Sequence, residues 1–360
     1  MKVAFRVDAS ETLGSGHISR CLNLATALKS RGAECVFIGR RLRGHQFRAI
    51  SDAGFRVLVI PRETEMGPTR LLNTISDPVA NSDALLTMAL LGGEKPDWLI
   101  VDHYGIDAKW ESVLRPHVGK ILIIDDLAEV RHDCDVLLNQ NFSTSGPERY
   151  NGLVTQETEL RLGPRYALLH PDFARRRKDV RIRLGGPPVA FISFGGSDPD
   201  NITELVLNVL GRSEFSDVIV HVAIGANNRH RLQLEQWVRS RGSGHSHFDP
   251  ANMAEIMHLA DFAIGAGGAT IWERICLDLP SIVVSISMNQ VPTCVSLALA
   301  GQINYLGHAT EFSADKLSGA IVRLLGGLGE TRLEPQIPLV DGLGTERVAD
   351  MLLPHKPDAS

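Results

Sequence analysis

The sequence predicts an α/β protein built from two Rossmann-like domains, each with a parallel sheet between layers of helices. Short apolar runs lack the polar alternation of half-exposed strands, which is typical of strands buried on both faces. These runs alternate with longer stretches of helical period. A chain of 360 residues is too long for one ordinary compact core, and the alternating pattern restarts near its middle.

The first domain is expected over residues 1–174. Its predicted strands are, in chain order, VAFRV, ECVFIG, FRVLVI, WLIVD, ILIID and DVLLN. A basic segment that ends in GGPP, residues 175–188, is predicted to be the linker, because its charge and its Gly-Pro ending interrupt the pattern.

The second domain is expected over residues 189–353, and residues 354–360 are expected to form a frayed tail. Its predicted strands are VAFISF, VIVHVAI, FAIGA and SIVVSI, with helices over 201–210 and 229–238 among those between them. Each domain opens with a strand that runs into a glycine-rich turn and a helix. This echo indicates two Rossmann-like halves whose sheets face a central cleft.

Composition excludes several classes of partner. The net charge is -5 with both signs mixed along the chain, so no basic stripe indicates nucleic-acid binding, and a small-molecule partner is expected. No apolar run approaches the roughly 18 residues of a membrane span. The first residues read directly into a strand without a basic and apolar leader, which indicates a cytoplasmic protein. We expect a monomer, although nothing in the sequence fixes the oligomeric state.

The five cysteines are far apart and form no C-x-x-C pair, so reduced, buried thiols are expected.

The segment GSGH follows the first strand and raises a choice between a phosphate cradle and a base at a helix start. It lacks the third glycine of G-x-G-x-x-G and the lysine of a P-loop, so no dinucleotide is expected here, and no cofactor is expected for the protein. Gly14 and Gly16 allow a tight turn. His17 would project from the first helical turn, where the helix dipole favours the neutral imidazole that can accept a proton. The alternative is a structural or capping histidine.

Other polar residues of the first domain end neighbouring strands. VDHYG and IDDLA follow two of them, and LLNQN ends a third. Because ligands of open α/β sheets bind beyond the carboxyl ends of the strands, these side chains could meet His17 and form a pocket with acid, base and hydroxyl groups. The residues are Asp102, His103, Tyr104, Asp125 and Asp126.

A second glycine-rich segment, GAGGATIWER, lies in the second domain. The amides of Gly267, Gly268 and Ala269 at a helix start, with the hydroxyl of Thr270, are suited to a diphosphate. Glu273 could accept hydrogen bonds from two ribose hydroxyls, and the alternative is that it complements the helix dipole. The amides of Asn289 and Gln290 end the next strand, where they could read sugar hydroxyl or acetamido groups.

A third segment, FGGSDPDN, offers another phosphate nest at Gly195, Gly196 and Ser197, before a helix capped around residues 198–200. The alternative is a plain turn between strand and helix. No metal site is expected, because no H-x-x-x-H or H-E-x-x-H spacing occurs and GHSH, residues 244–247, is typical of a loop.

The order of these motifs resembles one family. FRVDASETLGSGHISRCLNLA resembles the opening of the UDP-2,4-diacetamido-2,4,6-trideoxy-β-L-altropyranose hydrolases of pseudaminic acid biosynthesis. The likeness continues through VDHYGID, IDDLAEVRHDCDVLLNQN, LGPRYALLHPDF, FGGSDPDN and GAGGATIWERICLDLPSIVVSISMNQ, to about residue 306. The family in turn resembles the GT-B glycosyltransferases, especially the one that adds N-acetylglucosamine to the peptidoglycan lipid precursor.

The resemblance implies a GT-B-like fold and metal-independent hydrolysis of the bond between the sugar and UDP, with inversion at the anomeric carbon. His17 matches the proposed base of the family, Tyr104 matches a tyrosine of its sugar site, and Asn289 lies in its NQ motif. Asp8 and Arg20 belong to the matching opening segment and are expected to contact substrate. GSGH is therefore expected to present a catalytic base and not to bind phosphate, since the phosphate-binding loop is expected in the second domain.

The sequence departs from the family pattern in two places, and two functions other than the hydrolase stay open. Ala269 stands where the family often has serine, and residues 69–96 are longer and less regular than expected, which leaves the identity of the sugar open.

One rival function is that of a GT-B transferase, which moves the sugar to an acceptor. The basic residues 39–48 could bind such an acceptor. The other rival is a nucleotide-sugar binder without activity, although the presence of His17 counts against it.

Overall fold

The computed structural model describes residues 1–10, 14–61, 78–179, 185–328 and 339–353. The chain forms two compact units, one from Met1–Leu168 with the segment that begins at Gly344, and one from Leu169–Leu343. The expected tail, 354–360, and residues 180–184 of the expected linker lie outside the described residues.

The first unit has a seven-stranded sheet in the order β3-β2-β1-β4-β5-β6-β7, with each pair of neighbours parallel. Its elements up to the last strand are β1 Lys2–Val7, α1 Gly16–Ser30, β2 Glu34–Arg40, α2 Phe47–Asp52, β3 Arg56–Ile60, α3 Pro78–Leu90, β4 Trp98–Asp102, α4 Ala108–Leu114, β5 Lys120–Ile124, β6 Val136–Asn139 and β7 Glu159–Leu162.

Helices cover both faces of this sheet, as the continuous apolar strands predict. In β1, Val3 and Phe5 pack with α1, whereas Ala4 lies in the core formed with α3 and α4. The strand order reverses between β1 and β4, where Val7 is paired with Asp102. Loops diverge from such a reversal and leave a crevice at the carboxyl ends of the strands.

The second unit has a six-stranded parallel sheet in the order β10-β9-β8-β11-β12-β13. Its elements are α5 Pro171–Arg177, β8 Val189–Ser193, α6 Ile202–Leu210, β9 Ile219–Ile224, α7 Arg231–Arg241, β10 Gly244–Phe248, α8 Met253–Leu259, β11 Phe262–Ala266, α9 Thr270–Cys276, β12 Ser281–Ser285, α10 Val291–Leu299, β13 Asn304–His308 and α11 Ala314–Gly326. The order reverses between β8 and β11, so the two glycine-rich turns of this unit lie beside each other. The predicted fold class, two Rossmann-like α/β domains with parallel sheets, is confirmed.

The chain returns to the first unit at its end, which differs from the expected second domain of residues 189–353. The helix α12, Gly344–Leu352, packs on α1. Its buried Val348 and Leu352 belong to the core of the first sheet, and Arg31, the residue after α1, pairs with Glu346 and Asp350. The apolar face of α12 therefore completes the layer over α1.

The boundary between the units lies near residue 168, before the expected linker. The helix α5 contacts α8 and α9 of the second unit, although it begins inside the expected first domain. At Gly342, where φ is 80°, a Cβ atom would lie 2.8 Å from the backbone of Ala174, so the returning chain fits closely against α5.

GHSH forms most of the edge strand β10, not a loop. His245 is paired with His221 of β9, and Nε2 of His247 lies 3.1 Å from Nδ1 of His221. Because the residues of β10 are polar, the strand has no apolar run by which it could be predicted from the sequence. Burial, together with the neighbouring His247 and His245, lowers the pKa of His221 to about 4.

This histidine cluster predicts an acid-sensitive second unit. Because the folded pKa of His221 lies below the ordinary value near 6.5, its contribution to stability is present above about pH 6.5 and is lost as pH falls towards about 4. We expect the denaturant midpoint of the wild type to fall more between pH 7 and pH 4 than that of His221→Thr. An equal fall of the denaturant midpoint in the two proteins over this pH range would contradict the prediction.

Candidate active site

The crevice of the first unit gathers the polar groups that the sequence placed at strand ends. Asp102 is the last residue of β4, and Asp126 follows β5 by two residues. The first turn of α1 carries His17 and Arg20 to the same place. Asp102, His17 and Arg20 are 1%, 7% and 5% exposed, so their charges interact in a largely dry environment.

His17 is oriented by a carboxylate. Its Nδ1 lies 2.5 Å from Oδ1 of Asp102. A carboxylate at this distance accepts a proton from Nδ1, which selects the tautomer with a basic Nε2. The ring of Tyr104 meets the ring of His17 edge to face, with centroids 4.7 Å apart. The imidazole is therefore held on two sides.

Arg20 joins two carboxylates. It donates to both oxygens of Asp102, at 2.6 Å each, and to both oxygens of Asp126, at 3.0 and 2.9 Å. Burial by itself would raise the pKa of Asp102, but the charge of Arg20 and the hydrogen bonds from Arg20 and His17 hold it well below its usual range. The same guanidinium lowers the pKa of Asp126 against the effect of burial. Both carboxylates are therefore ionised at neutral pH.

Tyr104 acts as a hydrogen-bond donor. Its hydroxyl donates to Oδ2 of Asp126 at 3.1 Å, and the Asn141 amide donates to Oδ1 of the same carboxylate at 3.0 Å. Burial and the charge of Asp126 raise the pKa of Tyr104 above its usual range, so the phenol keeps its proton. It can orient a ligand but cannot serve as a base.

Asp8, which the family resemblance expects to contact substrate, is buried among partners within the chain. It is 2% exposed, its oxygens pair with Arg6, and it accepts from the backbone N–H of Arg40 at 2.7 Å. Nε2 of His103 lies 3.2 Å from Oδ2 of Asp8. With these partners the carboxylate has little capacity left for a ligand.

Asp125 is also structural, since it accepts from the backbone N–H groups of Leu127 and Ala128 and shapes the turn after β5. Gly14 has a φ of 75°, and its backbone N–H donates to the carbonyl of Ser10 at 2.9 Å. Gly16 is the first residue of α1. The two glycines thus shape the approach to His17.

Sequence reasoning missed Asp83. It lies on α3, inside the segment 69–96 that departs from the family pattern, and residues 69–77 of that segment lie outside the described residues. Asp83 accepts from Arg6 at 3.0 Å, from Arg40 at 2.9 Å and from the Trp110 indole at 2.9 Å. A lone aspartate in a helix of mixed composition gives no signal for such a role.

The glycine-rich loop of the second unit packs against the NQ motif. A Cβ atom at Gly267 would lie 2.3 Å from Sγ of Cys294, and one at Gly268 would lie 3.4 Å from Nε2 of Gln290. Gln290 also accepts from the backbone N–H of Ile286 at 3.0 Å, so its side chain braces the loop. Asn289 accepts a hydrogen bond of 2.5 Å from the hydroxyl of Ser287.

The start of α9 has no side-chain cap in the described structure, with Ala269 at the cap position and Thr270 as its first residue. Glu273 is partly buried, and its Oε2 has no hydrogen-bond partner among the described residues. Burial raises the pKa of Glu273 to about 7, against a smaller opposite effect of Arg274. An unpaired buried carboxylate oxygen is costly, and a bound donor would relieve the cost.

The glycine-rich turn after β8 is held by hydrogen bonds within the chain, unlike an open phosphate-binding turn. Gly195 has a φ of 85°, and the carbonyl of Gly196 accepts from the backbone N–H of Asn227 at 3.0 Å. Asp198 accepts from the first amides of α6, at 2.9 and 3.0 Å, as the predicted cap requires. Those two amides are therefore occupied, and phosphate contact at Gly195, Gly196 and Ser197 stays a prediction.

Comparisons with known proteins agree with these motifs. Residues 191–291 match the glycosyltransferase family 28 C-terminal domain. A relative from Campylobacter jejuni, UDP-2,4-diacetamido-2,4,6-trideoxy-beta-L-altropyranose hydrolase, is 29% identical over 306 residues, which cover 84% of this chain and 97% of the relative. The resemblance inferred from the motifs is confirmed.

Solved structures show the same fold at low sequence identity. MurG from Acinetobacter baumannii has a TM-score of 0.65 and 16% identity, with 98% of this chain and 99% of that chain covered. S. aureus MnaA, solved with UDP, has a TM-score of 0.59 and 13% identity, with 98% of this chain and 95% of that chain covered. The fold of this chain is therefore GT-B-like.

The described residues show neither a membrane-spanning helix nor a metal-binding cluster. No described helix has the length and apolar character needed to cross a membrane. No group of three or more His, Cys, Asp and Glu side chains in the described ranges is arranged to hold a metal ion. All five cysteines are buried free thiols.

The raised pKa of Glu273 predicts a pH-dependent stability of the ligand-free protein. Its stabilising contribution is present below about pH 4.5 and is lost as pH rises through about 7, because the folded state holds the proton more tightly than the unfolded chain. Between pH 5 and pH 8, the wild type should lose on the order of 2–3 kcal/mol of unfolding free energy relative to Glu273→Gln. Urea unfolding of both proteins measures the difference, and equal losses would refute the assignment.

Proposed function

We propose that the protein hydrolyses UDP-2,4-diacetamido-2,4,6-trideoxy-β-L-altropyranose by attack of water at the anomeric carbon, with inversion and release of UDP. The observation that carries the proposal is the buried arrangement of His17, Asp102 and Arg20, which fits a general base. The likeness to the C. jejuni hydrolase over most of both chains supplies the substrate class. The broader class, an enzyme that processes nucleotide sugars, also agrees with the matched glycosyltransferase domain.

In the proposed reaction, Nε2 of His17 takes a proton from the attacking water. Asp102 keeps the other ring proton on Nδ1 and stabilises the imidazolium that forms. Arg20 keeps Asp102 ionised, so the carboxylate orients the ring without taking its proton. This division of roles needs no metal ion.

Each unit, taken by itself, offers polar groups that are suited to a sugar. In the first unit, Tyr104 and Asp126 offer a fixed hydroxyl and a carboxylate beside His17. In the second unit, Asn289 supplies an amide next to the braced Gln290. Amides and hydroxyls suit the acetamido and hydroxyl groups of such a sugar.

The nucleotide would bind the second unit. The matched domain includes the loop 265–270 and Glu273. The unpaired oxygen of Glu273 fits a ribose hydroxyl as donor, and the glycines of the loop allow close approach of a diphosphate. UDP then departs as a stable anion, which favours cleavage of the bond to the sugar.

A GT-B transferase is the second candidate. The matched domain and the MurG structure favour it, because both come from glycosyltransferases or share their fold. The same base would then activate an acceptor hydroxyl in place of water. In either case we place the enzyme in the cytoplasm, where it acts as a monomer on soluble nucleotide sugars, and for the hydrolase the product enters pseudaminic acid biosynthesis.

The experiment that tests the hydrolase is incubation of the protein with UDP-linked diacetamido-trideoxyhexoses. We expect UDP in the phosphorus NMR spectrum and, at early times, a single sugar anomer of inverted configuration in the proton spectrum. EDTA should leave the rate unchanged. UDP release only after an acceptor is added would favour the transferase, and retained configuration would contradict direct attack by water.

Loss of His17 should abolish turnover and spare nucleotide binding. We expect His17→Leu to lower kcat by about 10²–10⁴-fold, the usual effect of removing a general base, with UDP affinity nearly unchanged. Asp102→Asn should also lower kcat, because an amide can donate to Nδ1 and leave the proton on Nε2. Initial rates and UDP calorimetry measure the two effects.

His132→Leu is the matched control. His132 is also buried and is paired through Nδ1 with a carboxylate, that of Glu111 at 2.7 Å, but it belongs to none of the proposed contacts. A folded His132→Leu protein should keep its turnover. Near wild-type rates in a folded His17→Leu protein would reduce GSGH to a structural turn.

A further inference from the structure

Arg274 lies buried beneath the glycine-rich loop of the second unit. It is 0% exposed and donates through Nη2 to the carbonyl of Ala266. A Cβ atom at Gly265 would lie 2.3 Å from Nη1 of Arg274, so the glycine makes room for the guanidinium. The side chain therefore reaches the residues with which the loop begins.

The charge of Arg274 is not matched by a paired carboxylate. Its Nε and Nη1 have no hydrogen-bond partner among the described residues. Burial lowers the pKa of Arg274 to about 10, and Cys294 and Glu273 only partly oppose this effect. A buried cation without an acceptor is unfavourable in the folded protein.

The buried arginines of the first unit differ from Arg274 in their charge partners. These residues, Arg6 and Arg20, each contact two carboxylates, and the pKa of each is raised above its usual value. The charge of each of these arginines is therefore balanced by carboxylates of the chain itself. Arg274, by comparison, has a lowered pKa and unused donors next to a loop whose helix carries no side-chain cap.

We propose that Arg274 is a positioning residue for the diphosphate of the substrate. It fixes the start of the loop through Ala266, and its unbalanced charge favours an anion on that loop. The guanidinium acts through the loop without touching the phosphates. This inference rests on the proposed function, since it requires a nucleotide diphosphate at this loop.

A purely structural role makes a different prediction. If Arg274 only anchors the carbonyl of Ala266, its loss would disturb every ligand of the loop alike. If its charge matters, its loss would weaken UDP, which carries the diphosphate, and spare uridine, which carries none. The ratio of the two affinities separates the possibilities.

The experiment compares UDP and uridine binding, by calorimetry or ligand NMR, in the wild type and three variants. Arg274→Gln keeps an N–H donor for Ala266 and removes the charge, and Arg274→Met is a second neutral variant should the first fail to fold. Arg274→Lys keeps the charge. We expect either neutral variant to lower UDP affinity by about 10–100-fold with uridine affinity unchanged, and Arg274→Lys to recover most of the loss.

Arg177→Met is the matched control. Arg177 donates to the carbonyl of Cys276, at the other end of α9, at 2.6 Å. Its loss should leave the UDP-to-uridine ratio at the wild-type value.

Three results would overturn the inference. Wild-type UDP affinity in a neutral variant, or equal losses of UDP and uridine, would leave the proposed function intact and refute the role of the charge. A wild-type protein that binds neither UDP nor uridine would instead refute the nucleotide site itself, and this inference with it.

Discussion

Arg20 holds Asp102 and Asp126 with the two edges of one buried guanidinium, and the geometry of the first crevice depends on this contact. Without the cation, two carboxylates buried side by side would repel each other and tend to take up protons. A protonated Asp102 could no longer hold the imidazole of His17 in one tautomer. Tyr104 would lose its charged acceptor as well. One residue on the first turns of α1 therefore sets the protonation state of the whole crevice.

The two units treat buried charge differently. In the first unit, arginines and aspartates satisfy one another, so the site is organised before any ligand arrives, as catalysis by fixed dipoles requires. In the second unit, the unpaired Oε2 of Glu273 and the unused donors of Arg274 leave the loop incomplete. Binding free energy can therefore be gained mainly where the nucleotide is expected.

Sequence reasoning found the parts of the fold and of the site that have a periodic or glycine signature. Buried parallel strands are continuous apolar runs, so β1, β4 and β11 were predicted, and the strand-end rule brought His17, Asp102 and Tyr104 together. The edge strand β10 was missed because its histidines carry no apolar pattern. The placement of α12 was missed because it depends on a tertiary contact with α1, which no local pattern encodes. Substrate contact by Asp8 stays a prediction, since in the sequence a strand-end carboxylate looks the same whether its partner is a ligand or a buried arginine such as Arg6.

The likenesses to a hydrolase and to glycosyltransferases are compatible on chemical grounds. Both reactions bind a nucleotide sugar, stabilise a departing diphosphate and deprotonate an attacking oxygen, and they differ only in which hydroxyl attacks. The second unit, where residues 191–291 match the transferase domain, can therefore be common to both. The difference must lie in what reaches Nε2 of His17. His17 is 7% exposed, its ring lies against Tyr104 and its Nδ1 contacts Asp102, so Nε2 is the ring nitrogen left for the attacking oxygen in either reaction.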